Sequence, residues 1–202
     1  MERNYFRYGA VMLAAMLALA GCRGTDEQTK AAATKSGFSD AAATELAGMG
    51  LTPEEVASVG DAKKSGLDDS SILSMVKSLH KQNLKFDIGS QLQILVRDGL
   101  GATALTQLVD MGAIPRWVDD IRGLKDANVG EVTILEMAKI RFQEKKELLS
   151  GPEYGLLHSN GLSDAGLLMF ARKGGNAQQL QQLRLQLALG KSEQEALKSV
   201  GM

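Results

Sequence analysis

Gly66-Leu67-Asp68-Asp69-Ser70-Ser71-Ile72-Leu73 ends one helix and starts the next. Gly66 is the residue type that takes the left-handed conformation just past a helix end. Leu67 follows as a post-cap apolar contact, and Asp68 is a strong N-cap for the new helix. Ile72, four residues beyond the cap, can pack back on Leu67 as a hydrophobic staple. The same grammar recurs along the chain. Its left-handed marker is Gly37, Gly66, Gly99, Asn128, Gly161 and Gly190, spaced alternately by 29 and 33 residues, so the period is 62. Gly and Asn are the two types that adopt this conformation most readily, and no other type occupies the column. After the markers stand Phe38, Leu67, Leu100, Val129, Leu162 and Lys191. The caps are Ser39, Asp68, Gly101, Gly130, Ser163 and Ser192, and the staple positions are Ala43, Ile72, Leu105, Ile134, Leu167 and Ala196.

Other positions keep the 62-residue step. Met49 returns as Met111, Pro53 as Pro115, Ile72-Leu73 as Ile134-Leu135, and Gly89 as Gly151. A second connector lies inside each copy. Thr52-Pro53-Glu54-Glu55 joins an N-cap to Pro at the first helical position and Glu at the third, and Gly50 ends the helix before it. The third copy carries Gly174 and Asn176 there, whereas Ile114 in the middle copy is a poor cap.

Between connectors the apolar residues fall at helical spacing, as in Val56, Val59 and Ala62, and strand alternation is absent. The reading is an all-α chain of eleven or twelve short helices, most of 8 to 13 residues, four to a copy, with copies at about 31–89, 90–151 and 152–202. The stretch 131–149, with Ile134, Leu135, Ala138, Phe142 and Leu149, reads as a longer helix. Residues 83–88 read as an irregular link, and the first copy as lacking a well-formed opening helix, its counterpart lying in 30–36. Helices this short are marginal alone, so each copy must bury its apolar face on its neighbours. Tandem repeats of this kind form either a solenoid or a compact helical globule.

Composition narrows the function classes. The chain has 202 residues, 44% hydrophobic, 23% charged and 4% aromatic, which is the balance of a folded domain rather than a disordered one. Lys plus Arg is 23 and Asp plus Glu is 24, a net charge of -1. There is no basic field for a nucleic-acid partner. One cysteine forms no internal disulfide, and His80 and His158 stand far apart without metal-ligand spacing, so neither a metal nor a cofactor is expected.

The N-terminus carries an address. Arg3 and Arg7 precede an apolar run from Gly9 to Ala20, too short to span a bilayer and laid out as an export signal. Leu19-Ala20-Gly21-Cys22 then resembles the lipobox of bacterial lipoproteins. That resemblance covers the first 22 residues and implies cleavage between Gly21 and Cys22, with diacylglycerol on the Cys22 sulfur and often an acyl group on its amine. Two or three chains anchor stably where one does not, at about 0.8 kcal/mol per buried methylene. The processed chain keeps 21 basic and 23 acidic residues. It is expected to be held on the membrane of the cell envelope by the lipid on Cys22. By the family's sorting rule, Arg23 rather than Asp after the cysteine implies an outer membrane facing the periplasm, where the cell has one. Residues 22–30 read as a polar tether and 31–202 as one repeat domain. The run from Gly66 to Leu73, with Phe86-Asp87-Ile88 and Leu92 to Gly99, resembles repeat segments in uncharacterised exported bacterial proteins, which carry no named activity.

Chemistry-bearing motifs are sparse. Ser74-Met75-Val76-Lys77 is similar to the Ser-x-x-Lys of penicillin-recognising enzymes, and Lys64-Ser65-Gly66 faintly to their third motif, but their Ser-Asp-Asn element and sheet are missing. The turns Leu46 to Thr52 and Leu108 to Ile114 are similar to the helix-hairpin-helix of nonspecific DNA binders. Thr52 stands where the second Gly belongs, and the surroundings are not basic. Trp117 beside Arg116 replaces the Glu55 and Gln179 of the other copies, and these two are the candidate interaction residues, since Trp and Arg dominate hot spots. A ring filling a gap between repeats is the competing reading. The expected role is noncatalytic: an anchored helical-repeat surface for an envelope protein or cell-wall component. An envelope hydrolase with a dispersed site and a structural spacer are the alternatives.

Overall fold

The computed structural model describes residues 26–202, so the export signal, Gly21 and Cys22 lie outside the described residues. Twelve helices and no strand are found among those described. They are α1 Asp26–Lys35, α2 Asp40–Ala47, α3 Pro53–Lys64, α4 Asp69–Lys81, α5 Gly89–Arg97, α6 Ala102–Asp110, α7 Val118–Asp126, α8 Glu131–Phe142, α9 Gly151–Ser159, α10 Asp164–Arg172, α11 Ala177–Ala188 and α12 Glu193–Ser199.

The punctuation read from sequence sets the boundaries. All six marker residues are left-handed, with φ from 63° at Asn128 to 99° at Gly161. Ser39, Asp68, Gly101, Gly130, Ser163 and Ser192 are the N-caps of the even-numbered helices. Every staple position from Ala43 to Ala196 is fully enclosed, as are its apolar partners except Lys191, which is exposed. Thr52–Glu55 and Asn176–Gln179 both close capping boxes. Ile114 offers no cap oxygen, and α7 accordingly starts at Val118, three residues later than α3 and α11 do in register.

Packing decides between the two architectures left open. α1 packs on α3, α3 on α5, α5 on α7, α7 on α9 and α9 on α11, and the even helices follow the same rule from α2 to α12. Substantial helix contacts join only elements one or two places apart. The chain is therefore a two-row solenoid whose stacking unit is a helix pair, and one 62-residue copy is two such pairs.

Two features fasten the stack. In the even row, the cap N–H of one pair donates to a carboxylate that begins the next even helix: Ser39 to Asp69 at 3.0 Å, Gly101 to Glu131 at 2.8 Å, Gly130 to Asp164 at 3.0 Å and Ser163 to Glu193 at 3.0 Å. Such charge-assisted bonds are among the stronger ones, and each carboxylate also lies at a helix N-terminus, where negative charge is favoured. Ala102 holds that position in α6 and supplies no carboxylate to the pair before it. In the odd row, glycines allow helices to touch. A Cβ on Gly89 would lie 2.0 Å from the Ser58 carbonyl oxygen, and one on Gly151 would lie 1.9 Å from that of Asp120. Gly151→Ala should therefore cost about 2 kcal/mol in urea denaturation, because backbone cannot yield as a flexible side chain would. Gly161→Ala, with nothing within 4 Å but φ of +99°, should cost about 1 kcal/mol. A larger loss at Gly161 than at Gly151 would refute close approach as the reason for Gly151.

Three expectations need correction. The tether does not extend to residue 30: helix begins at Asp26, where Asp26 and Glu27 favour a first turn, and Thr29 is buried. The opening helix of the first copy is thus well formed. The long helix over 131–149 stops at Phe142, although Gln143 to Leu149 are good helix formers. Lys145 is left-handed at φ 56°, as is its register counterpart Asn83, also at 56°. The irregular link expected over 83–88 is observed, and its counterpart 145–150 must be irregular too, so that Gly151 can seat on Asp120.

Candidate interaction site

Register position 55/117/179 lies at the start of α3, α7 and α11, and its side chain reaches across to the following even helix. Glu55 is 5% exposed. Its Oε2 accepts the Thr52 N–H at 3.0 Å, and its Oε1 accepts the Phe86 N–H at 3.0 Å and faces His80 Nε2 at 2.9 Å. Burial alone would raise the Glu55 pKa. The Thr52 and Phe86 N–H groups, the His80 ring and the Thr52 hydroxyl outweigh it and hold it at about 2. Gln179 makes a simpler tie, its Nε2 donating to the Val200 carbonyl at 3.0 Å.

Trp117 makes an aromatic one. Its ring meets Phe142 edge-on with centroids 6.0 Å apart, and the Arg141 guanidinium lies 5.8 Å from its centre. Phe142 is the register counterpart of His80. The Glu55–His80 pair of one copy is thus the Trp117–Phe142 pair of the next. Trp117 is 1% exposed, so it cannot itself be the exposed anchor that its position beside Arg116 suggested; the competing reading, a ring filling a gap between helices, is the one observed. Arg116 is exposed.

Where the segment after α8 meets α10 lies a surface not singled out from sequence. The non-helical segment 143–150 is joined to α10 by Lys146, whose Nζ donates to the Arg172 carbonyl at 3.4 Å and pairs with Glu144 at 2.9 Å. Arg172 in turn pairs with Glu136 of α8 at 3.2 Å, as does Lys139 at 2.6 Å. These partners hold the Glu136 carboxyl below the usual range, the Lys139 hydrogen bond most of all. Ala165, Leu168, Met169 and Arg172 of α10, with Lys173 at its end, line a shallow hollow of about 440 Å³, and Met169 is 45% exposed. Lys145 and Lys173 have no ion pair among the described residues. No protein-family model matches the chain, and no curated protein matches it.

The other motif residues are dispersed. Ser74 and Lys77 share one exposed turn of α4, with Lys77 Nζ 2.5 Å from Glu45. His80 serves Glu55, whereas His158 lies on α9, its Nδ1 2.9 Å from the Ala127 carbonyl and its Nε2 3.0 Å from Asp164. In the hairpin at Gly48 to Thr52, the Met49 and Gly50 N–H groups return to carbonyls of α2, and the Thr52 N–H is taken by Glu55. The groups that would meet a phosphate are committed within the chain. No cluster of three or more His, Cys, Asp or Glu suited to a metal occurs among the described residues, and no helix there is long and apolar enough to cross a membrane.

Proposed function

We propose that this chain is a lipid-anchored protein of the bacterial cell envelope that presents its α8–α10 surface to an acidic envelope partner and catalyses no reaction. The Leu19–Cys22 motif is the support for the anchor. The observation that carries the binding role is the exposed Met169 in a hollow edged by Lys173, which has no carboxylate partner among the described residues. An apolar contact that excludes water, with an unpaired cation at its edge, suits a partner that brings an acidic group to it.

A photo-crosslinking residue placed at Met169 in cells should give a discrete adduct, and one placed at exposed Ser74 should not. Lys173→Glu should lower the Met169 adduct at least fivefold. Intact mass of the native chain should show a diacylated start at Cys22. Equal labelling at both positions, or none at either, would favour the structural spacer. Ester or cell-wall hydrolysis lost on changing Ser74 or His158 would favour the enzyme.

A further inference from the structure

We infer that the chain pairs with a second copy of itself about a two-fold axis through the outer face of α11. The 62-residue register identifies that face. In α3 the Ser58 hydroxyl accepts the Gly89 N–H at 2.8 Å, and the Asp61 carbonyl accepts Gln93 at 2.9 Å; both bonds seat α5. The counterparts in α7 are Asp120 and Gly123, which seat α9 through the Gly151 N–H at 2.7 Å and through Pro152. Ala127 adds a third contact against Gly155. The same three positions in and just after α11 are Gln182, Leu185 and Leu189, and no described helix stacks on them.

Leu185 is 58% and Leu189 66% exposed. The neighbouring even row ends differently. The Ser192 N–H, which in register would reach forward to another pair, is taken by Glu195 within its own helix at 3.0 Å, and Gln194, Glu195 and Lys198 face solvent. In the last described pair the even row thus turns polar side chains outward, and the odd row turns two leucines outward.

The occupant follows from charge and sterics. The exposed stripe of α11, Gln178, Gln181, Gln182, Leu185 and Ala188 with Leu189 just beyond it, holds no charged residue in a chain that is 23% charged; Arg184 at its edge is half-buried and donates to Gln181 at 3.4 Å. Across a two-fold axis each residue meets its own counterpart or a near neighbour, so an uncharged stripe with two leucines one turn apart is self-complementary. Head-to-tail stacking is barred at the other end. Glu27 of α1 occupies the register of Gly89 and Gly151, where even a Cβ would strike the preceding helix. Two antiparallel copies of α11 join leucine to leucine and close the assembly at two.

The test uses the full chain in its membrane. A photo-crosslinker at Leu185 should yield a product of twice the chain mass, joined to peptide 177–202 of the second copy. In detergent, the wild type should sediment as a concentration-dependent dimer, and Leu185→Lys with Leu189→Lys should weaken pairing at least tenfold with unchanged helical circular dichroism. A monomer at all concentrations, adducts to α1 or to another protein, or open-ended oligomers would overturn the inference.

Discussion

Replacing Trp117 with alanine is expected to lower the unfolding free energy by about 4 kcal/mol, as emptying a core aromatic site does. The indole fills the space between the start of α7 and the end of α8, where Phe142 and Arg141 cover it. Phe142 and Arg141 belong to the end of α8, so their collapse into that volume would drag the helix that pairs with α10 through Glu136 and Arg172. Urea denaturation should show the loss as a lower midpoint, and the Met169 adduct should fall with it. Arg116→Glu separates the two effects. Its side chain is exposed, so the charge reversal should change stability by no more than about 0.5 kcal/mol. If Trp117→Ala costs under 1 kcal/mol, the ring is not where the core needs it.

Legibility followed locality. Helix punctuation is decided within eight residues, so the marker column, the caps and the staples could be read before any tertiary contact was known. The end of α8 could not, because Gln143 to Leu149 favour helix by every local rule. The 62-residue register overrides them: Lys145 turns left-handed as Asn83 does, and the chain arrives at Gly151 on time. Gly89 and Gly151 were visible as recurring glycines without a reason, since the reason is a carbonyl oxygen on another helix. The row of carboxylates Asp69, Glu131, Asp164 and Glu193 has no local signature, since their bonds reach back to the pair before. Cys22 and Gly21, with the clearest motif in the chain, lie outside the described residues.

The position shared by Glu55, Trp117 and Gln179 shows what the repeat demands of a side chain there. It must span from an odd helix to the even helix that follows, and a carboxylate, an indole or an amide will do so if its partner matches. His80 answers Glu55, Phe142 answers Trp117 and the Val200 carbonyl answers Gln179. A buried polar pair and an aromatic pair are therefore two solutions to one packing problem, which accounts for His80 without assigning it chemistry. They differ in one respect. The polar pair responds to pH.

Glu55 makes that difference measurable. Its pKa is about 2 in the folded chain against an ordinary 4.5. Because the folded value is the lower one, the contribution is complete above about pH 4.5 and is lost as pH falls toward 2. At about 1.4 kcal/mol per pKa unit, the lost stability is about 3 kcal/mol. Asp69 and Glu136 are also held below their ordinary values and add to the acid lability of the whole chain, so the comparison must be with Glu55→Gln rather than with neutral pH alone. At pH 6 the wild type should be the more stable, and the gap should narrow steadily between pH 4.5 and 2.5, because over that range the unfolded chain takes up the Glu55 proton while the folded chain still resists it. His80 faces the carboxylate from α4, and the two N–H donors from Thr52 and Phe86 remain in place throughout. A gap that stays constant over that range would mean that the carboxylate is not held ionised by these donors, and the tie between α3 and the 84–88 link would need another explanation.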